Sequence, residues 1–375
     1  MSTCSSSIIQ RMGLWFSRNI TNNSSFKAYF EPVIQLFIPQ WRADRFRSKV
    51  VSIRKESADM YSLIIKPHKS WNGFKAGQYL ELTVEKEGAW VSRFFSISSS
   101  PAYFQQSGLI EISIRIQENG QITPWLPQIL EAGSVLNISE AQGEFVLPQA
   151  LSSALKPTLM IAGGSGITPF RSMLQQIACK GLAINTPVTL MYYARSSEHF
   201  LFREELQQFE KQAPNLEVHF IDTDDVGFFS DAHLLGFCQD FNNRDIYICG
   251  PGPMILHARK VLKGQKVNDD QIYYEFFGPE PISLDTSDKA VNVLFQQSEK
   301  QVSTDNNEPK TLLTLAEEAS LKPVTGCRIG VCHQCICKKQ SGVVYNSKTK
   351  TYSDTGQEEI QLCVSVPVAD VVLAL

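Results

Sequence analysis

Between Lys49 and Pro148 apolar and polar positions alternate over short runs broken by Gly and Asn. Residues 50–54, 61–65, 78–84, 93–97 and 110–116 each have the length and the β-branched or aromatic content of a strand. Such closely spaced segments predict a small antiparallel β-barrel over residues 46–150. After Lys156 the rhythm changes. Residues 158–161 form the unbroken apolar run that a strand buried on both faces requires, and a helical pattern follows over 170–180. Strand 188–193, helix 202–212, strand 216–221 and strand 245–249, read as the last of the series, continue the alternation. That order predicts an α/β doubly wound parallel sheet over 156–277.

Pro279 and Pro281 mark a linker over 278–288, and strand 291–295 opens a third unit, 289–375, which ends on an apolar strand. Residues 1–45 form an N-terminal extension. Phe26, Tyr29, Phe30, Val33, Ile34, Phe37 and Ile38 recur near a helical period, followed by Trp41, Arg42, Arg45 and Arg47. This stretch reads as a lid packed on the first unit, with docking on a membrane surface or membrane-bound partner as the alternative.

Composition narrows the class. A chain of 375 residues exceeds one ordinary core, since domains run to roughly 150 residues. Hydrophobic content of 43% with 19% charged residues describes a soluble globular protein, and a net charge of −3 argues against nucleic acid as a partner. No apolar run approaches the ~18 residues of a membrane span, and Arg11 and Arg18 flank only a short apolar patch, unlike a secretory signal. Nine cysteines, several at metal-ligand spacing, point to a reducing, cytoplasmic compartment, associated with a membrane surface only through a partner. No two histidines are paired at helical spacing, so the chain lacks ligands for an oxygenase iron site of its own.

The sharpest chemical signal is Cys327-Arg328-Ile329-Gly330-Val331-Cys332-His333-Gln334-Cys335 with a distant Cys363. The spacing C-x4-C-x2-C…C is that of a plant-type [2Fe-2S] cluster, whereas structural zinc prefers two C-x2-C pairs. Cys327, Cys332, Cys335 and Cys363 are therefore the expected metal ligands. Gly330 lets the backbone come close to inorganic sulfide. Cys337 falls outside the spacing and reads as a bystander on the strand leaving the loop.

A second signal is Gly163-Gly164-Ser165-Gly166-Ile167-Thr168-Pro169, between a strand and a helix, where backbone N–H groups and the helix dipole face a phosphate. Thr168 is expected to cap that helix, with Pro169 in its first turn. The loop departs from G-x-G-x-x-G, and in isolation a tight turn without a ligand explains it equally well. The next strand ends at Ala194-Arg195-Ser196-Ser197 with no acid before Glu198. A basic residue there accommodates a 2′-phosphate, which favours NADPH over NADH, and Arg203 is a second candidate contact.

Three further stretches complete a pattern. Arg93-Phe94-Phe95-Ser96 is similar to the flavin signature R-x-Y-[ST], and Gly120-Gln121-Ile122-Thr123-Pro124-Trp125-Leu126 resembles a segment whose helix meets a flavin pyrophosphate. Cys249-Gly250-Pro251-Gly252-Pro253-Met254 looks like C-G-P-x-x-M, and Tyr274-Glu275-Phe276-Phe277 resembles the Glu-x-aromatic end of a reductase core. From about residue 45 to the C terminus the chain thus resembles the ferredoxin-NADP reductase superfamily in its three-domain form. The resemblance implies a multidomain protein with an antiparallel β-barrel flavin domain, an α/β doubly wound NAD(P) domain and an α+β β-grasp ferredoxin domain.

It also implies roles. Arg93 would hold the flavin phosphate; Phe95, replacing the usual Tyr, would stack on the isoalloxazine; Ser96 would hydrogen-bond near N5. Thr123 would cap the pyrophosphate helix, with Pro124 its first residue. Gly163, Gly164, Gly166, Thr168, Arg195, Ser196, Gly250, Pro251 and Met254 would contact the nucleotide, and Ser96, Cys249 and Glu275 would form the catalytic set. The expected cofactors are FAD (or FMN), a [2Fe-2S] cluster and NADPH (or NADH). The expected activity is an NAD(P)H-dependent flavin iron-sulfur oxidoreductase serving a separate oxygenase, hydroxylase or fatty-acyl desaturase, membrane-bound in one version. The alternatives are a reductase for another acceptor, such as hybrid-cluster protein, and a non-catalytic redox sensor.

Overall fold

The structure is a computed structural model that describes residues 45–86, 89–117, 120, 122–147, 156–180, 186–277, 291–304, 309–326, 328–330, 333–349 and 351–375. Expectations for 1–44 and for the linker 278–288 lie outside the described residues, as do Cys327 and Cys332.

Six antiparallel strands build the first unit: β1 (Arg45–Lys55), β2 (Met60–Lys66), β3 (Tyr79–Lys86), β4 (Ala89–Ser96), β5 (Ile110–Arg115) and β6 (Val135–Ser139). They lie in the order β4-β3-β6-β1-β2-β5, and a bridge between Ile97 and Ile112 draws the two edges together into a nearly closed barrel. Closure buries Val50, Leu63, Leu80, Leu82, Ile112 and Ile138 completely and leaves few strand edges unpaired. β6 was not anticipated from the sequence pattern. Arg45 and Arg47, expected at the end of an amphipathic element, instead belong to β1, where Arg45 pairs with Glu81 at 2.6 Å.

The second unit is a parallel sheet of β7 (Thr158–Gly163), β8 (Val188–Ala194), β9 (Leu216–Asp222), β10 (Asp245–Gly250) and β11 (Ile272–Phe276), ordered β11-β10-β7-β8-β9. β7 and β8 are buried at every position, as strands covered on both faces must be. The sheet does not end at β10 as expected. β11 pairs parallel to it, with Glu275 opposite Cys249. Strand order reverses between β7 and β10, the switch point at which such sheets open a ligand crevice.

The third unit holds β12 (Val291–Phe295), β13 (Lys300–Thr304), β14 (Ile336–Ser341), β15 (Val344–Asn346), β16 (Thr351–Tyr352), β17 (Glu358–Gln361), β18 (Ser365–Pro367) and β19 (Val371–Leu373). A mixed sheet ordered β13-β12-β19-β14-β17 packs on the helix Leu312–Glu318, while β16-β15-β18 form a small sheet of their own. That helix starts at Thr311, whose Oγ1 accepts from the Thr314 amide at 3.2 Å, and it buries Leu312, Leu313, Leu315 and Ala316. Lys339 is fully buried here, and its Nζ donates to the carbonyls of Gly342, Asp354 and Gly356 at 2.9, 2.9 and 2.5 Å.

Barrel and parallel sheet meet through buried charge. Arg171, on the helix Ile167–Lys180, places Nη1 3.0 Å from Glu111 of β5 and donates Nε to Glu205 at 2.6 Å, with its guanidinium 4.3 Å from the Phe202 ring centroid. Arg54 continues the ladder on the solvent side, 2.7 Å from Glu111. Two hydrogen bonds run alongside, from Ser172 Oγ to the Ser99 carbonyl at 2.6 Å and from the Ser100 amide to Gln175 at 2.8 Å. Burial ranks the members of this ladder. Removing a buried partner strands the opposite charge at about 3–5 kcal/mol, whereas an exposed pair contributes about 0–1 kcal/mol. Arg171→Ala is therefore expected to cost about 3 kcal/mol or more in denaturant unfolding, and Arg54→Ala, whose side chain is half exposed, about 1 kcal/mol or less. Equal costs would disprove that ordering.

Candidate active site

Two cavities meet in the centre of the molecule. The first, about 510 Å³, opens at the C-terminal ends of β7, β8 and β10 and is lined by Gly163, Gly164, Ser165, Arg195, Pro251 and Met254, with Tyr193, His199 and His257. The glycines are fixed by close packing: a Cβ on Gly163 would strike Met254 Sδ, and one on Gly166 would strike the Cys249 carbonyl. Only glycine lets the β7 and β10 loops touch, and their contact shapes the floor of the crevice.

A short 3-10 turn at Gly164–Gly166 precedes the helix, which begins at Ile167 and not at Phe170. Thr168 is accordingly inside the helix, and its Oγ1 donates to the Ser165 carbonyl at 3.0 Å instead of accepting an amide as a cap. Arg195 stands on the cavity wall, and Ser196 Oγ lies 2.7 Å from Nδ1 of His199, which also lines it. Arg203 does not. Its guanidinium lies over the rings of Phe200 and Phe220, at 5.6 and 4.9 Å from their centroids.

The second cavity, about 1080 Å³, is walled by all three units. The barrel contributes Tyr79, Arg93, Phe95, Ser96 and Thr123; β11 and its end contribute Glu275, Phe276 and Phe277; the third unit contributes Glu317, Lys322, Thr325, Arg328 and Ile329. Arg93 Nη1 also donates to the Gly326 carbonyl at 3.0 Å, next to the first expected iron ligand. Thr123 does not cap a helix. The four-residue helix Leu126–Ile129 starts after Trp125 without a side-chain cap, and Thr123 Oγ1 accepts from the Gln117 amide at 3.0 Å.

Polarity inside this cavity fits a flavin. Ser96 Oγ and Glu275 Oε2 are buried without a hydrogen-bond partner, a cost of about 1–3 kcal/mol for each neutral group that a bound ring with polar edges would remove. Burial raises the Glu275 carboxyl to about 8, so at neutral pH it is protonated and adds no negative charge. Cys249, opposite it on β10, is wholly buried and lines neither cavity; burial first, then the nearby Glu275, holds its thiol well above the usual range.

The residues for a cluster also converge. Cys335 Sγ lies 3.2 Å from Cys363 Sγ, beyond the ~2.05 Å of a disulfide, and both side chains are buried. Gly330 has φ +72, and a Cβ there would sit 2.8 Å from Val364 Cγ1, so the loop is pressed against the segment that carries Cys363. Lys348 Nζ donates to the Gly330 carbonyl at 2.8 Å. Cys337 is turned away, 3.9 Å from the Ala374 carbonyl.

Some site residues had no local sequence signal. Arg115, at the end of β5, lines both cavities and pairs at 2.9 Å with Asp59, which lines the first. The two are brought together only by the pairing of β2 with β5. Lys322, Glu317 and Arg328 reach the second cavity only because the third unit folds against the barrel.

Comparison with known proteins places these units. The oxidoreductase FAD-binding domain family matches residues 48–147, the oxidoreductase NAD-binding domain family 160–260, and the 2Fe-2S iron-sulfur cluster binding domain family 295–368. An NADPH oxidoreductase of Mycobacterium tuberculosis is 26% identical over 341 residues, covering 91% of this chain and 87% of that protein. A glycine betaine monooxygenase reductase subunit of Chromohalobacter salexigens is 25% identical over 376 residues, covering 92% and 98%. The solved structure of phthalate dioxygenase reductase shares the fold at a TM-score of 0.58 and 22% identity, covering 88% of this chain and 98% of that one.

Glu275 gives this site a measurable pH signature. Its folded value near 8 lies above the ordinary 4.5, so the neutral form contributes stability that is complete below pH 4.5 and lost as pH rises through 8. Unfolding midpoints of the wild type should therefore fall relative to Glu275→Gln between these limits and run parallel above them. Parallel curves throughout would mean that Glu275 is ionised at neutral pH.

Proposed function

The chain belongs to the three-domain ferredoxin-NADP reductase family, with FAD-binding, NAD-binding and 2Fe-2S units in that order, and we propose that it takes a hydride from NADPH and hands single electrons to a separate oxygenase. It is an oxidoreductase whose cofactors are FAD, a pyridine nucleotide and a [2Fe-2S] cluster. The observation that carries the reading is the central cavity walled by all three units, flanked on one side by the crevice of the parallel sheet and on the other by the cysteine loop. Flavin chemistry suits that position, because a hydride delivers two electrons together and a [2Fe-2S] cluster accepts one.

The roles follow from the lining. Gly163, Gly164, Pro251 and Met254 bound the crevice where the nicotinamide end would lie, and Arg195 with Ser196 supports a preference for the 2′-phosphate of NADPH. Gly166, Gly250 and Thr168 do not line that crevice; the two glycines pack where the β7 and β10 loops touch, and Thr168 is bonded back to Ser165. In the second cavity Phe95 and Arg93 would take the ring and phosphate of the flavin, and the Ser96 hydroxyl and protonated Glu275 would offer neutral hydrogen bonds at the ring. Cys249 acts through packing under Gly166 and beside Glu275, as a neutral thiol. Cys327, Cys332, Cys335 and Cys363 would hold the iron. We place the unit boundaries at 46–150, 156–277 and 289–375.

Among possible acceptors an oxygenase has the most support, because a relative matched over nearly its whole length is a monooxygenase reductase subunit. A membrane-bound desaturase rests on the stretch 26–47, most of which lies outside the described residues. No helix among the described residues is long and apolar enough to cross a membrane.

Anaerobic addition of NADPH should bleach both flavin and cluster absorbance. In Cys363→Ser, flavin bleaching should persist while the low-temperature paramagnetic signal of reduced iron disappears and cytochrome c reduction drops to background. Full cytochrome c activity without the signal would refute the relay.

A further inference from the structure

Four cations line the large central cavity: Arg93, Arg115, Lys322 and Arg328. Three are engaged by protein groups. Arg115 pairs with Asp59 at 2.9 Å, Arg328 is clamped on Glu317, and Arg93 donates to the carbonyls of Ser92 and Gly326 at 2.8 and 3.0 Å. Lys322 makes no hydrogen bond or ion pair with any described residue. The cavity's carboxyls do not offset it, since Glu317 is taken by Arg328 and Glu275 is protonated at neutral pH. Lys322 is exposed to solvent on the wall of this cavity of about 1080 Å³, so its ammonium can reach an anionic group on the occupant without first breaking a contact to a described residue.

We propose that Lys322, from the iron-sulfur unit, binds a phosphate of the flavin cofactor, so that the flavin site is shared between the barrel and the third unit. The proposal rests on the reading that this cavity takes the flavin. Phosphate is the only anionic group that FAD or FMN carries in its oxidised form, and an ammonium binds it as a point charge without demanding one geometry. The place of Lys322 in the chain gives the contact a consequence. It sits on the segment that runs through Pro323 and Thr325, both on the cavity wall, to Gly326 and then to the first expected iron ligand. One phosphate contact would thus tie the cofactor to the chain that carries the next electron carrier.

The test strips flavin from full-length wild type, Lys322→Met, Lys322→Gln and Lys322→Arg and measures rebinding of FAD, FMN and riboflavin by fluorescence, with iron content measured on every sample. Loss of one charge-assisted contact should weaken FAD and FMN by about tenfold in the Met and Gln variants. Riboflavin, which lacks phosphate, should bind all four proteins alike, and Lys322→Arg should recover most of the affinity. The difference between wild type and Lys322→Met should also shrink as salt is raised. Unchanged FAD and FMN affinity, or an equal loss for riboflavin, would overturn the phosphate role. Failure of the wild type itself to bind any flavin would instead remove the functional reading on which the proposal stands.

Discussion

A guanidinium shut away from water, Arg171, fixes the geometry on which the two cavities depend. It lies between Glu111 of the barrel, which is buried, and Glu205 of the parallel-sheet unit, which is partly exposed, so its loss would strand the buried Glu111 carboxylate first. The ladder joins the units by direction as well as by attraction, since forked donors accept few angles, whereas an apolar seam would allow sliding. Arg115 shows what that rigidity achieves. It borders both cavities at once, so the crevice at the sheet's switch point and the flavin-sized chamber open onto the same side chain. Hydride transfer needs its partners within a few tenths of an ångström of the right separation, and a misfit of about one ångström can cost on the order of a hundredfold in rate.

Electrostatics inside the chamber follow the same economy. Acids that would oppose electron arrival are neutralised, Glu275 by burial and Glu317 by Arg328. The remaining polar atoms, Ser96 Oγ foremost, are left for an occupant. Cys249 is a different case. Its motif suggests a chemical role, but the thiol is enclosed by the β7 and β10 loops and reaches neither cavity. It packs in the buried core next to Glu275.

Much of this was legible in the chain. The two strand rhythms separated a barrel from a parallel sheet because each architecture imposes its own burial pattern, and the cysteine spacing pointed to the kind of unit that the 2Fe-2S domain match over 295–368 shows. What escaped was long-range. β11 reads locally as a functional motif, and only its pairing with β10 makes Tyr274-Glu275-Phe276 a strand. Thr123 and Thr168 look like helix caps from their neighbours, yet the nearest satisfying partners, the Gln117 amide and the Ser165 carbonyl, take their hydroxyls elsewhere. Arg203 had the right charge in the right stretch, but aromatic faces at Phe200 and Phe220 hold it away from the nucleotide crevice. Arg115 and Lys322 carried no signal at all, because what they line is assembled from segments far apart in sequence.

The shared wall of the large chamber bears on how such proteins can be recombined. Modules joined by a linker are often treated as interchangeable cassettes, but here the C-terminal cassette supplies Glu317, Lys322, Arg328 and Ile329 to a chamber that the barrel begins. Grafting a foreign iron-sulfur cassette in its place would therefore replace part of the lining of that chamber along with the terminal carrier. A chimera that preserved every iron ligand could still lose its colour in purification. Successful grafts would have to transplant the strip 317–329 together with the residues of β4 that it faces.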